Sequence, residues 1–493
     1  MLKFIEESPL YRIANARSMV FFGASNSITS MGTHLLSTAL AGGFKGAVYP
    51  VHRKEENVLN LTAYRRVEDL PEVPDLAVIV LPTHIVNETL EACGKKGIRQ
   101  VVVVSGGFKE VGGGGGELEA ELKKIAGAYD IKILGPNCLG VANPHHNLNT
   151  TFIPNEGPPG FVGLASQSGS FVTQVFEYLS GFGLGFSTAF SVGNEAVLDI
   201  VDCMEYLGAC PHTKVIALYV EGIRRGRAFI EAARAIVPHK PIVAFYVGGS
   251  KAGKAAGFSH TGAMAGPDEL YDGMFRQAGV IRARSVVELF DFCWVLGALP
   301  IPEGNRVVIQ THSGGPGAAA ADACGRAGLA LSTLSEKTLE KLAPFVPSTG
   351  SVGNPVDLTF TKDPSSFFSD IPGILLAEEN ADILMVYLLS PQRVVERELK
   401  ERGIPDEAFP EQGRKIIKSN AEQLSQHFEE QKKPVIGYSF HRLDATIMRE
   451  VVAKGMPVLQ GAERAARAVA ALVAYAGVRE RISIPSSRGG RSG

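Results

Sequence analysis

Long hydrophobic runs are missing from this chain. No apolar stretch in its 493 residues approaches the roughly 20 that a membrane helix needs. The first residues, MLKFIEESPLYRIANARS, mix charged and apolar side chains, which fits neither a secretory signal nor a transit peptide. An excess of one charge is missing as well. Lys and Arg number 49 against 51 Asp and Glu, so nothing global points to nucleic acid or to an anionic membrane surface. Cysteine is scarce and scattered (Cys93, Cys138, Cys203, Cys210, Cys293, Cys324), with no C-x-x-C pair and no Cys/His metal spacing. That is the usage of reduced thiols in a cytoplasmic protein without a metal site of its own.

Glycine is abundant, at 55 residues, and fits the many tight strand-to-helix turns of an alternating α/β protein. The length exceeds what one core supports and predicts three domains. In residues 1–145 the short continuous apolar runs SMVFFGAS, GAVYPV, LAVIVLP and QVVVVSGGF read as parallel strands buried on both faces, with helices over HIVNETLEACGKKG and ELEAELKKIAGAYD. This is the pattern of a doubly wound, Rossmann-like nucleotide-binding domain. Residues 146–300 start the pattern again and residues 301–480 form a diverged copy of them. FVGLASQSGS is matched by VVIQTHSGGP, and KPIVAFYVGG by KPVIGYSFHR, as an internal duplication requires. The charged stretch 392–430 reads as a solvated helical excursion, and residues 481–493 as a disordered polar tail. GFGLGFSTAF reads as core or as the lining of a small pocket.

The first glycine turn, FFGASNSITSMG, lacks the G-x-G-x-x-G spacing of a dinucleotide site, because Gly23 and Gly32 are too far apart. No acidic residue ends the second strand. YPVHRK ends it with His52, Arg53 and Lys54, which suit a phosphorylated ribose, as in NADP or the 3′-phosphate of coenzyme A. The alternative is an ordinary turn beside an exposed basic loop. ASQSGS is a second anion-binding candidate: Ser168, Gly169 and Ser170 fall where a strand gives way to a helix, offering free N–H groups, the helix dipole and two hydroxyls. Serine N-capping explains the same residues.

His260 lies in GFSHTGAMAG, among small residues and glycines. That leaves room for a bulky adduct, and a neutral imidazole is a competent nucleophile near pH 7. Glu221, which ends the strand IALYVEG, is a candidate carboxylate to hold one ring nitrogen, since strand ends of such sheets gather at one rim. A surface-loop histidine with no chemistry is the competing account.

GASNSITSMG, YPVHRK, SGGFKEVG, GPNCLG, ASQSGS, YVEGI, SHTGAMAG, THSGGPG and GNPVDL occur in that order. From about residue 10 to 480 the chain resembles the acyl-CoA synthetases that form a nucleoside triphosphate from ADP or GDP, relatives of succinyl-CoA synthetase. The resemblance implies a Rossmann-like CoA-binding domain followed by two flavodoxin-like domains, and a relay through an acyl phosphate and a phosphohistidine. On that resemblance His260 is the phosphorylated histidine and Glu221 the carboxylate that orients it. Ser168, Gly169 and Ser170 hold the phosphoryl group. Gly23, Ser25, Asn26, Val51, His52, Arg53, Lys54 and Asn137 form the CoA-binding region, with CoA as a substrate.

Two departures fall near the CoA side: YPVHRK where relatives have YPVNPK, and VGGGGGE in place of the acidic stretch after GFKE. No stretch reads as a nucleotide-gripping lysine with acidic magnesium ligands. The resemblance therefore implies a separate ATP-grasp β subunit that brings the nucleotide and Mg2+, in an α2β2 assembly. A non-catalytic CoA-binding or regulatory protein of the same fold is the alternative, against which the intact histidine loop argues. An NADP-dependent oxidoreductase is disfavoured by the missing G-x-G-x-x-G.

Overall fold

The computed structural model describes residues 4–152, 154, 157–180, 184–250, 253, 266–361, 363–389, 399–401, 403–430, 432–442 and 445–483. His260 lies outside them, as does the expected disordered tail from 484 onward; the first three residues assigned to that tail, 481–483, instead complete the helix Ala462–Ser483. The chain divides into two compact units, Met1–Leu289 and Phe290–Gly493.

The first unit holds two sheets. Across the first, the strands lie in the order Ala47–Val51, Ser18–Phe22, Leu76–Ile79, Gln100–Val103, Lys132–Leu134, all parallel. The continuous apolar runs expected of such strands have fully buried centres: Val20, Phe21, Ala77, Val78, Val101 and Val102 show no exposed surface. The order reverses direction between Ser18–Phe22 and Leu76–Ile79. Ligands bind at such switch points, beyond the carboxyl ends of the strands.

The second sheet runs Ile281–Ala283, Ile242–Tyr246, Val215–Val220, Val162–Ser166, Phe186–Ser191. Two short strands, Gly140–Asn143 and Leu148–Asn149, extend it, the first pairing antiparallel with Phe186–Ser191. Phe186–Ser191 comes from the apolar stretch GFGLGFSTAF. Phe186 and Phe190 are buried in it, so this part of the stretch is core.

The third sheet, in the second unit, runs Ala330–Leu331, Arg306–Thr311, Ile383–Tyr387, Val435–Ser439, Val458–Gln460, and a sixth strand of two residues, Val356–Asp357, pairs with Arg306–Thr311 off this path. Numbered along the chain with Val356–Asp357 set aside, the parallel strands of the second and third sheets both follow the order 2-1-3-4-5, the flavodoxin-like order. The two matched sequence pairs supply the first and fourth strands of each. The correspondence reaches single hydrogen bonds. Ser166 Oγ donates to the carbonyl of Ser168 at 2.8 Å and accepts the Ser168 N–H at 3.2 Å. Thr311 Oγ1 does the same with Ser313, at 2.9 and 3.2 Å.

The charged stretch 392–430 is not a solvated excursion where it is described. Its helix, Phe409–Glu430, buries Ile417, Ala421 and Leu424 in the core of the second unit, beside Met448 and Val451 of the helix Thr446–Ala453. The spacing of four and three residues puts these three side chains on one face, and the charged residues cover the other.

Candidate functional site

The CoA-side candidates gather at the carboxyl ends of the first two strands. Phe22 pairs with Val51 across the sheet, so the turn at Gly23 and the segment 51–54 are neighbours. Gly23 has φ +96, and a Cβ there would stand 1.9 Å from the Val80 carbonyl oxygen. Only glycine lets the chain leave the strand this close to the next one. The Ser25 N–H donates to Thr33 Oγ1 at 3.0 Å. Asn26 ties the two strand ends together: its N–H donates to Glu55 at 3.0 Å, and its side chain bonds the Asn57 carbonyl and the Leu59 N–H. His52 turns its ring inward, Nδ1 accepting the Lys54 and Glu55 N–H groups at 3.3 and 2.9 Å. The cationic side chains left exposed at this strand end are Arg53 and Lys54.

Beside this edge lies a cavity of about 450 Å3. Val80, Leu81 and Pro82 from the first sheet form one wall, with Ser105, Gly106, Asn137 and Leu139. Gln167, which follows the strand Val162–Ser166 of the second sheet, and Gly169 and Ser170, at the start of the helix Gly169–Ser180, face them. The structure thus brings Asn137 together with the anion-binding candidates Gly169 and Ser170. Ser168 is buried just behind them. The positive end of the helix dipole faces this half-open space, which is lined partly by apolar side chains and suits an anion attached to an apolar body.

Glu221 lies on the same rim, directly after the strand Val215–Val220. It lines a smaller cavity of about 150 Å3 with Lys109, Arg224 and Tyr271, and Gln167, Gly193 and Asn194 line both cavities. Gln167 spans the gap between the two: its side-chain oxygen accepts the N–H groups of Glu221 and Gly222 at 2.5 and 3.0 Å, and its amide donates to the Gly222 carbonyl at 2.6 Å. The Ile223 N–H donates to the Tyr271 hydroxyl at 3.1 Å.

Sequence reasoning missed the polar cluster beneath Glu221. Asn194 donates to Glu110 at 2.6 Å and to Glu119 at 3.1 Å, and accepts from Asn137 at 3.3 Å. Arg224 donates to the carbonyls of Glu195 and Asn194, both at 3.0 Å, and Lys109 also reaches the Asn194 carbonyl. Glu195 is buried, with φ +55. Burial pushes its carboxyl up to about 7, against hydrogen bonds from Gln167 and the Ile200 N–H that favour the charged form. Burial also pulls the Lys109 ammonium down, helped by the nearby Arg224 charge. The available signal was GNE one residue after the strand Phe186–Ser191, at the rim where the other candidates were sought. Among the described residues no cluster of His, Cys, Asp or Glu could hold a metal ion, and no helix is long and apolar enough to cross a membrane.

Three family profiles match the chain: the CoA binding domain over residues 17–144, the succinyl-CoA ligase like flavodoxin domain over 159–296 and the ligase-CoA domain over 307–388. The acetate–CoA ligase [ADP-forming] II subunit alpha of Pyrococcus furiosus is 40% identical over 377 residues, 76% of this chain and 82% of that protein. The acetate–CoA ligase [ADP-forming] I of Archaeoglobus fulgidus is 39% identical over 345 residues, and there the match spans only 50% of the relative's length. Among solved structures, a dinucleotide forming acetyl-coenzyme A synthetase 1 of Ca. Korarchaeum cryptofilum, in complex with phosphate and ADP, superposes with a TM-score of 0.85 at 32% identity, over 98% of this chain and 99% of that one. With such identity to a ligase α subunit over 76% of its length, this chain belongs to the ADP-forming acyl-CoA synthetase (acetate–CoA ligase) family, relatives of succinyl-CoA synthetase.

Proposed function

We propose that the chain is the α subunit of an NDP-forming acyl-CoA synthetase, interconverting acyl-CoA, NDP and phosphate with acid, CoA and NTP. The observation that carries this reading is the meeting of Asn137, the helix start at Gly169 and Ser170, and the Gln167-held turn of Glu221 around two adjoining cavities. Gly23, Ser25, Asn26 and residues 51–54 hold the nucleotide end of CoA, with Arg53 and Lys54 as the cations for its phosphates. Asn26 and His52 act there by shaping the loops, since their side chains are already spent on backbone groups.

In the first step an oxygen of inorganic phosphate attacks the thioester carbon. The C–S bond breaks, the C–O bond of an acyl phosphate forms, and CoA leaves as its thiol after taking a proton. In the second, the His260 ring attacks phosphorus, the P–O bond breaks and the carboxylic acid departs. Glu221 orients the ring, and the helix start at Ser168, Gly169 and Ser170 stabilises the transferring phosphoryl group. In the third, the phosphoryl group passes from His260 to the NDP. We assign the nucleotide and its Mg2+ to a separate ATP-grasp β subunit in an α2β2 cytoplasmic assembly, a reading supported by the α-subunit names of the relatives. The proposed domains are 1–145, 146–300 and 301–480, the last extended to 483 by the helix Ala462–Ser483; one family match falls within each of the three domains.

The test is to incubate the chain with labelled phosphate and acetyl-CoA, or a panel of acyl-CoAs, and to look for an acid-labile, alkali-stable adduct. The wild type takes up label and His260→Asn does not. Label retained by the variant, or none with any acyl-CoA, overturns the relay.

A further inference from the structure

Gln167 is placed differently from its neighbours in SQSGS. Its backbone continues the strand Val162–Ser166, donating to the Tyr219 carbonyl at 3.2 Å, and the helix Gly169–Ser180 starts two residues later. Its side chain, in a residue only 8% exposed, leaves this turn and clasps the next strand end. Two consecutive N–H groups, of Glu221 and Gly222, converge on one oxygen, and the nitrogen closes the ring on the Gly222 carbonyl. A primary amide is the side chain that both accepts and donates in this way without charge. Asparagine is one methylene too short, a carboxylate lacks the donor, and methionine fills the space but makes neither bond.

We propose that Gln167 is a positioning residue of the relay: its amide fixes the turn that carries Glu221 relative to the phosphate-binding helix start. The proposal rests on the function proposed above and adds a residue to it. One side chain joins the two pieces of that site, so a shift at the helix start is transmitted to Glu221, and the reverse. The turn has a second hold in the Tyr271 hydroxyl at Ile223. Loss of Gln167 therefore frees the orientation of Glu221 without releasing the strand end.

The experiment compares the full-length wild type with Gln167→Met and Gln167→Glu. Three quantities are followed: labelling by acetyl-CoA and labelled phosphate, CoA affinity, and amide hydrogen exchange of the peptide covering residues 218–224. In Gln167→Met, labelling slows by about tenfold or more, as expected when half-buried backbone groups lose their partner. Exchange at 221 and 222 speeds up, and CoA affinity is unchanged. Gln167→Glu gives the readout that a merely structural role would not move. A neutral carboxylic acid restores both acceptor and donor, so its labelling rate recovers relative to wild type as the pH is lowered, whereas that of Gln167→Met does not. A labelled wild type with equally fast labelling of Gln167→Met, or unchanged exchange at 221 and 222, overturns the role of Gln167 alone. A wild type that takes no label from any acyl-CoA overturns the function, and this role with it.

Discussion

A Cβ on Gly32 would stand 2.3 Å from the carbonyl oxygen of Gly23. The helix Met31–Ala41 therefore rests its first turn on the turn that ends the strand Ser18–Phe22. Gly32 does the work of the helix-packing glycine of a dinucleotide fingerprint, across a longer intervening loop. The obstacle is backbone, which cannot rotate away. Gly32→Ala is expected to destabilise the first unit by about 1–3 kcal/mol, the usual range for overpacking, and to weaken CoA binding. Gly127, inside the helix Gly115–Tyr129, has nothing within 4 Å of its Cβ position. Gly127→Ala is therefore expected to stabilise by about 0.5–1 kcal/mol. Urea unfolding of the two variants checks the opposite signs.

Glu195 makes stability depend on pH in an unusual direction for a carboxylate. Its ordinary value is 4.5, and burial raises it to about 7 in the fold. Between those values the folded chain holds the proton that the unfolded chain has lost. The Glu195 contribution therefore falls as pH rises through this window and is level above it. The full effect is up to about 3 kcal/mol. Glu195→Gln keeps an acceptor for the Ile200 N–H and removes the titration. Relative to wild type, the variant should gain stability between pH 5 and pH 8, measured by denaturant unfolding at each pH. A constant difference across that range would show that Glu195 is charged in the fold throughout.

Cys138 borders the larger cavity and is nonetheless predicted to be inert. Burial pushes its thiol up to about 12, and Sγ already lies 3.4 Å from the Val103 carbonyl. At pH 8 the thiolate is then on the order of one part in ten thousand. Iodoacetamide should leave Cys138 unmodified in the folded chain and alkylate it after denaturation, as read by peptide mass spectrometry. Rapid alkylation of the folded chain would mean that the thiol is reached through the cavity.

The strands of the first sheet were legible because residues buried on both faces leave continuous apolar runs, and the other two sheets were read as repeats of that pattern, without their strands Phe186–Ser191 and Ile383–Tyr387. The duplication was legible because its two copies keep the same turn chemistry, Ser166 with Ser168 and Thr311 with Ser313. What escaped was set by distance along the chain. Gln167 reaches Glu221, and Asn194 reaches Glu110, across 54 and 84 residues, and no local pattern encodes either partner. Phe409–Glu430 was misread for a different reason. Its charges dominate the composition, and the three buried positions show only when spacing is counted. That Glu221 and the helix start at Gly169 share a rim was legible because a topological rule, that strand ends gather at one side of such a sheet, substitutes for the missing distance information.

The helix start offers a sharper test than its serines do. A Cβ on Gly169 would meet the Leu139 Cγ at 3.0 Å and Ser191 Oγ at 3.4 Å. Both are side-chain atoms, and Leu139 borders a cavity of about 450 Å3 into which it can turn. The fold should therefore tolerate Gly169→Ala at a cost of about 1 kcal/mol, the low end for overpacking. The displaced leucine then takes up space at the mouth of the helix, where the phosphate is proposed to bind. The expected result is a several-fold rise in the phosphate concentration needed for half-maximal labelling, with CoA affinity unchanged. Leu139→Ala added to Gly169→Ala removes the displaced side chain and should restore phosphate affinity, a non-additivity expected only of residues in contact. If the double variant binds phosphate no better than Gly169→Ala, the methyl group itself obstructs the N–H groups and Leu139 has no part in it.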